Sequence, residues 1–240
     1  SSIVGYIFYF TVFYWLASFS MIATIRKSRK LEELRQNYIA NVTHELKTPV
    51  ASIKALAETL CDGMETDPDT QRLYYSMILR EANRQDHMIR DVLNLCKMQS
   101  NGMDFTKTSI QAGIVFGPIL DKYATLCDYI GISLHISEEI SRLPPLYTNA
   151  VCIKQLLEIL LDNALKFVKE GGDIWLDATF SGKQIIICVR DNGIGIEKEA
   201  LPHVFERFFK GCHDHNESGS GLGLAIAKEI ILGLKEKIWV

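Results

Sequence analysis

The sequence has no Cys-x-x-Cys pair. Its six cysteines, Cys61, Cys96, Cys127, Cys152, Cys188 and Cys212, stand singly. That pattern suits isolated thiols in a reducing compartment, not a disulfide framework or a zinc site. A strong charge imbalance is missing too. Net charge is −3 over 240 residues, so no basic field invites nucleic acid, and none is expected as a partner. The length leaves room for one large or two ordinary domains, each with a core.

A third absence is local. No charged residue occurs from Ser1 to Ile25, and "IVGYIFYFTVFYWLASFSMIATI" is almost wholly apolar or aromatic. At about 1.5 Å per residue this run can cross a hydrocarbon core of about 30 Å. Arg26, Lys27, Arg29 and Lys30 follow at once, which marks that end as cytoplasmic. A secretory signal peptide would carry its positive charge before the apolar run, the reverse of this order. Residues 1–25 are therefore expected to form a transmembrane helix.

Beyond the basic cluster, Leu31, Leu34, Tyr38 and Val42 recur at helical spacing, and the pattern continues through Leu46, Ile53, Leu56 and Leu60. "DGMETDPDT", Asp62 to Thr70, has the composition of a turn. A second amphipathic helix carries Leu73, Met77, Met88, Val92 and Leu95 and stops near Gly102. Two such helices cannot enclose a core alone. Pairing with a second copy gives a four-helix bundle, so residues 26–100 are expected to be a dimerisation domain and the chain a homodimer.

From residue 101 to 240 the pattern is mixed α/β. Ile132 to Ile136 reads as a strand, Val151 to Phe167 as a helix capped near Asn149, and "DIWLDATF" and "KQIIICVR" as strands around Ser181-Gly182. Two glycine-rich loops follow, "DNGIGI" from Asp191 to Ile196 and "GSGLGLAIAK" from Gly219 to Lys228, with "FERFFKG" between them.

Read in order, "YIANVTHELKTPV", "LLDNALKF", "DNGIGI", "FERFFK" and "GSGLGLAIAK" resemble the cytoplasmic core of a membrane sensor histidine kinase of a two-component system. They are similar to its phospho-acceptor box, N box, first glycine box, F box and second glycine box. The resemblance runs from about residue 30 to the end. It implies an α/β sandwich of the Bergerat (GHKL) type as the ATP-binding domain, with ATP and Mg²⁺ as cofactors. It also implies a response regulator receiver domain as partner and a place in a bacterial cell membrane with the catalytic part cytoplasmic.

Each box also has its own chemistry. An imidazole titrates near 6.5, so a neutral His44 nitrogen can attack a phosphoryl group. Glu45 is placed to take the proton from the other ring nitrogen, the base role the family assigns. His44 lies off the apolar stripe and should face solvent. A zincin reading fails because His-Glu-x-x-His would need a histidine where Thr48 stands. By resemblance Thr48 positions water for a phosphatase activity. Pro49 lacks an N–H and is expected to kink the helix just past His44.

In the N box, Ile153, Leu156, Leu157, Leu160 and Ala164 make a core stripe, with Asn163 and Lys166 on another. The resemblance gives Asn163 the role of Mg²⁺ ligand through its oxygen, gives Lys166 the phosphates, and packs Phe167 on the base. It makes Asp191 the acceptor for the adenine amino group. Gly193 and Gly195 are expected to let the backbone approach the base, with Ile196 beside it. Gly219, Gly221, Leu222, Gly223 and Leu224 open a helix whose N–H groups can hold phosphates. A Rossmann fingerprint fails for lack of a βαβ frame. Residues 196–218 would form a lid, with Arg207 as phosphate contact. "CHDHN", Cys212 to Asn216, has metal-ligand types in a polar loop. The sequons at Asn41 and Asn216 have no meaning on a cytoplasmic segment.

The chain departs from the family pattern in places. Ile159 replaces the usual first Asn of the N box, Leu234-Lys235-Glu236 replaces His-Gly-Gly, and the sequence stops at Val240 before the usual last strand. The ATP-binding domain is therefore expected to be C-terminally truncated. Only residues 26–43 separate the expected span from His44, too few for a HAMP linker. The alternative function is an ATP-binding pseudokinase acting as phosphatase or scaffold. A plain ATPase of the superfamily would need a water-activating carboxylate at position 159, which Ile159 cannot supply.

Overall fold

A computed structural model describes residues 2–100, 102–182, 184–211 and 219–240, with side chains from residue 13 onward except at 31, 34 and 35. Two compact units divide the chain at Ile78 and Leu79.

Helix α1 (Ser2–Cys61) dominates the first unit and continues through Pro49 without a break. Of the expected span at residues 1–25, the side chains of residues 1–12 lie outside the described set. Among the described residues no helix is long and apolar enough to cross a membrane. Phe13, Tyr14, Trp15, Leu16, Phe19, Met21 and Ile22 of that segment are all exposed. Leu31 and Leu34 of the expected stripe also fall outside the described side chains. Gly63, at φ +65°, sits in the turn after α1, and Asp67 opens α2 (Pro68–Gln99) by accepting the Thr70 N–H at 2.9 Å.

Along α2 the expected apolar face is only partly buried. Met88 and Leu95 are inside and Val92 is half-buried, whereas Leu73 and Met77 are exposed. The unit boundary falls inside this helix for a physical reason. Its second half joins a core with the helices of the second unit.

That unit contains β1 (Thr108–Ile110), α3 (Ala112–Tyr129), β2 (Ser133–Ile136), α4 (Glu138–Ser141), β3 (Leu146–Thr148), α5 (Ala150–Phe167), β4 (Asp173–Ser181), β5 (Gln184–Asp191), a 3-10 turn at Leu201–His203 and α6 (Gly223–Leu234). Strands β2, β4 and β5 form one sheet in that order, with β2 parallel and β5 antiparallel to β4. The β4–β5 hairpin turns at Gly182, φ +57°, where the sequence signals it. β1 and β3 pair separately and antiparallel.

Strand alternation places Ile174, Leu176 and Ala178 inside, against Phe116, Ile119 and Tyr123 of α3 and Leu157, Leu161 and Ala164 of α5. A second core joins Leu95 and Met98 of α2, Cys152 and Leu156 of α5, and Leu222, Ile226, Ile230 and Leu234 of α6. Burying each such leucine or isoleucine contributes about 1.5–3 kcal/mol relative to exposure. The Asn149 side chain accepts from the Val151 and Cys152 N–H groups at 3.0 and 3.1 Å, which starts α5 where its cap was expected. An α/β sandwich results, with α5 between the two cores.

Candidate active site

His44 is exposed on α1, as its place off the apolar stripe implies, and Glu45 next to it is half-buried. The Thr48 hydroxyl donates to the His44 carbonyl oxygen one turn back, at 3.2 Å. The Glu45 carbonyl would bond the N–H of residue 49, and Pro49 has none. Asn41 is likewise exposed.

In the second unit several expected residues converge on the C-terminal half of α5. Asn163, Lys166 and Phe167 are half-buried there. The Lys166 ammonium lies 4.4 Å above the Phe167 ring, and a Cβ on Gly219 would come within 2.9 Å of it. The second glycine loop is therefore held close to Lys166.

The first glycine loop leaves the end of β5 and meets the same helix. Asp191 accepts the Gly193 N–H at 2.9 Å, and the Ile194 N–H donates to the Phe167 carbonyl at 3.4 Å. A Cβ on Gly193 would stand 2.4 Å from that carbonyl oxygen. Gly193 is required by the α5 backbone, not only by a base to be bound. Gly195 meets nothing within 4 Å and is required by its φ of +73°. Ile196 is exposed. A cleft of about 300 Å³ is lined by Lys169, Gly172, Asn192, Gly193 and Ile194, and does not include Asp191 or Asn163.

Gly221 has φ +66°, and a Cβ there would be 2.9 Å from the Phe208 backbone. The Phe208 N–H in turn donates to the Gly221 carbonyl at 2.9 Å. The F box and the second glycine box are thus tied backbone to backbone. Leu222 is fully buried, Leu224 is half-buried, and α6 begins at Gly223. A Cβ on Gly223 would lie 3.5 Å from Ile159 Cγ2. Ile159 does face the start of α6, but as part of the apolar core with Leu156 and Ile226.

Arg207 was expected at the phosphates. Its guanidinium donates to Glu229 of α6 at 2.8 Å, and the Gln99 amide at the end of α2, assigned with its oxygen turned toward the guanidinium to satisfy both groups, accepts from the two terminal nitrogens. These contacts hold the guanidinium against α6. The Cys212–Asn216 cluster and the Asn216 sequon lie outside the described residues. Among the described residues no group of three or more metal-ligating side chains occurs.

Two polar pairs escaped the sequence reading. Buried Tyr123 of α3 donates its hydroxyl to Asp162, beside Asn163, at 2.5 Å. Burial, then this carboxylate, push the phenol far above its ordinary range. Asp91 of α2 accepts from Ser220 of the second glycine box at 3.0 Å. Burial pushes the Asp91 carboxyl up, and the Ser220 hydrogen bond and nearby His87 pull it back. The available signal was a lone carboxylate between Met88, Val92 and Leu95 on an otherwise apolar face.

Comparison with known proteins agrees with these boxes. Residues 34–101 match the His Kinase A (phospho-acceptor) domain family. Residues 148–240 match the histidine kinase-, DNA gyrase B- and HSP90-like ATPase family. The chain belongs to the sensor histidine kinase family. It is 28% identical over 224 residues to the sensor protein SrrB of Staphylococcus aureus, a match covering 88% of this chain and 37% of that relative. The chain thus spans little more than a third of the curated relatives it matches. Among solved structures it is similar to the histidine kinase ThkA in complex with the response regulator protein TrrA (TM-score 0.69, 21% identity, 89% of this chain and 60% of that one). The Acinetobacter baumannii histidine kinase AdeS is also similar (TM-score 0.61, 21% identity, 79% and 86%). These structural likenesses extend to the fold. In this family the match at 34–101 contains His44 and the match at 148–240 contains both glycine boxes.

Proposed function

We propose that the chain transfers the γ-phosphoryl group of ATP to His44 and then to an aspartate of a response regulator receiver domain. The observation that carries this reading is the convergence of Lys166, Phe167 and both glycine loops on one end of α5, in a chain with an exposed His44 in a phospho-acceptor match. A His44 ring nitrogen attacks the γ-phosphorus, an N–P bond forms, and the bond to the departing ADP oxygen breaks. The proton on the other ring nitrogen passes to Glu45. In the second step the receiver carboxylate takes the phosphoryl group and His44 is regenerated.

Asp191 would accept the adenine amino group with the carboxylate oxygen not bonded to Gly193. Lys166 would neutralise phosphate charge. Asn163 fits a hard cation, because its amide oxygen is the ligand type Mg²⁺ prefers and phosphate oxygens complete the set. When bound, the cation would spread charge away from the phosphates. Ile159 offers it no ligand. The test is incubation of the chain with Mg·ATP. ADP should form in step with chain-bound phosphoryl, which a receiver domain then discharges. Sustained ADP release with no chain-bound phosphoryl would assign the chain to the ATPases instead.

The homodimer reading is supported by apolar side chains that the single chain leaves exposed on the hairpin, among them Ile39, Val50, Leu73 and Leu79. Residues 1–25 are proposed as the membrane anchor, with support from the exposed aromatic and aliphatic side chains at 13–22. α1 runs unbroken from this segment to His44, so displacement would pass along one rigid rod. Single-residue insertions after Lys30 should therefore change kinase activity with a helical period, since each residue turns the rod by about 100°. A steady decline with insert length would indicate a flexible tether.

Thr48 is proposed to position water against the phosphorylated receiver. Its hydroxyl donates to His44 O and still has lone pairs to accept from water. Thr48→Ala should keep autophosphorylation within a few-fold and slow receiver dephosphorylation by roughly 10²-fold. Equal loss of both activities would assign Thr48 to the helix alone.

A further inference from the structure

One side-chain donor of the second glycine loop is spent on α2 of the same chain. The Leu222 N–H, at the start of α6, donates to Ser220 Oγ at 3.2 Å. The Ser220 hydroxyl then donates to Asp91 Oδ2 at 3.0 Å. A hydroxyl has one proton to give, so while it bonds Asp91 it cannot bond a phosphate oxygen. Arg207 shows the same pattern, engaged by Glu229 and by Gln99 at the end of α2. Between these two ties lies an apolar seam, with Leu95 and Met98 of α2 buried against Leu222, Ile226 and Ile230.

We propose that Asp91 is a built-in competitor of the nucleotide's phosphates, occupying the hydroxyl donor of Ser220 in the second glycine loop and holding the second half of α2 on it. This rests on the nucleotide-binding reading above. A carboxylate is an anion with the same appetite for hydroxyl and N–H donors as a phosphate oxygen. Its charge also repels a triphosphate brought to the same loop. The loop therefore has two exclusive anionic partners, one from α2 and one from solution. The apolar seam makes the competition consequential. Releasing Ser220 from Asp91 removes one of the polar ties that keep α2 seated, so nucleotide binding and α2 docking oppose each other. Opposition of this kind is reciprocal: α2 weakens the nucleotide by the factor by which the nucleotide weakens α2 docking.

Two readouts on the full chain in detergent micelles test the pair of effects. Calorimetric titration with Mg²⁺ and a non-hydrolysable ATP analogue should give about 3- to 10-fold tighter binding for Asp91→Ala than for the unaltered chain, the size of one ordinary hydrogen bond after solvent exchange. Asp91→Asn keeps an acceptor for Ser220 and removes the charge. It should fall between the two and guards against a folding defect of the alanine variant. In the unaltered chain, saturating analogue should speed amide exchange at residues 88–98. Unchanged or weaker binding in both variants, or exchange that slows with analogue, overturns the competition. Absence of any binding by the unaltered chain would overturn the nucleotide reading itself, a result distinct from binding that ignores Asp91.

Discussion

His44→Gln leaves nucleotide binding intact and removes every chain-bound phosphoryl group that survives base and is lost in acid. Glutamine keeps similar length and polarity, but its amide nitrogen has no free lone pair with which to attack phosphorus. His44 is exposed on α1, so no core packing is disturbed, and the stability change should stay within about 0.5 kcal/mol. Binding of Mg·ATP should be unchanged, since the glycine loops lie in the other unit. The measurement is label transfer from ATP beside a binding titration on the same preparation. Base-stable, acid-labile label that persists in His44→Gln would place the acceptor elsewhere.

Gly193→Ala should abolish nucleotide binding, by more than about 100-fold, while the fold survives with a lowered melting temperature. The added Cβ would stand 2.4 Å from the Phe167 carbonyl oxygen and 2.8 Å from its carbon. Both are backbone atoms at the end of a helix and cannot swing aside. The loop must retreat, giving up the Ile194 N–H bond to Phe167 and the Gly193 N–H bond to Asp191. Asp191 and Phe167, the two groups proposed for the base, are displaced together. Overpacking of this kind costs about 1–3 kcal/mol in stability. Gly113→Ala is the control. It lies in α3 with nothing within 4 Å of an added Cβ, and alanine in a helix is favoured by up to about 1 kcal/mol. Nucleotide binding by Gly193→Ala within a few-fold of the unaltered chain would show that the loop adapts and does not form the site as described.

Much of this architecture was legible in the sequence because it depends on local signals. The α5 cap at Asn149, the Gly182 hairpin and the exposed His44 follow from cap chemistry, turn chemistry and helical spacing. Helix α3 was not legible. Gly113, Gly117 and Pro118 in its first two turns argue locally against a helix, and burial of Phe116, Ile119 and Tyr123 against the sheet overrides them. β1 and β3, at three residues each, are too short to show a period.

At the site, the glycine boxes announced themselves, but not why each glycine is needed. Gly193 answers to a carbonyl on α5 and Gly221 to the backbone at Phe208, contacts that exist only after folding. Arg207 read as a phosphate contact because of its box, and its pairing with Glu229 spans 22 positions that no spacing rule connects. The Asp91–Ser220 bond spans 129 positions. Seen alone in the sequence, a carboxylate on a helix is a solvated charge. Docking of α2 on the second core gives Asp91 a partner.

The most direct test of phosphoryl transfer to His44 is to locate the phosphoryl group itself. The full chain is incubated with Mg·ATP and digested at alkaline pH, and its peptides are sequenced by mass spectrometry under conditions that preserve N–P bonds. One phosphoryl group on the ring of His44 is the expected result. A phosphoryl group on a hydroxyl side chain, or on another of the six histidines with His44 unmodified, would contradict it.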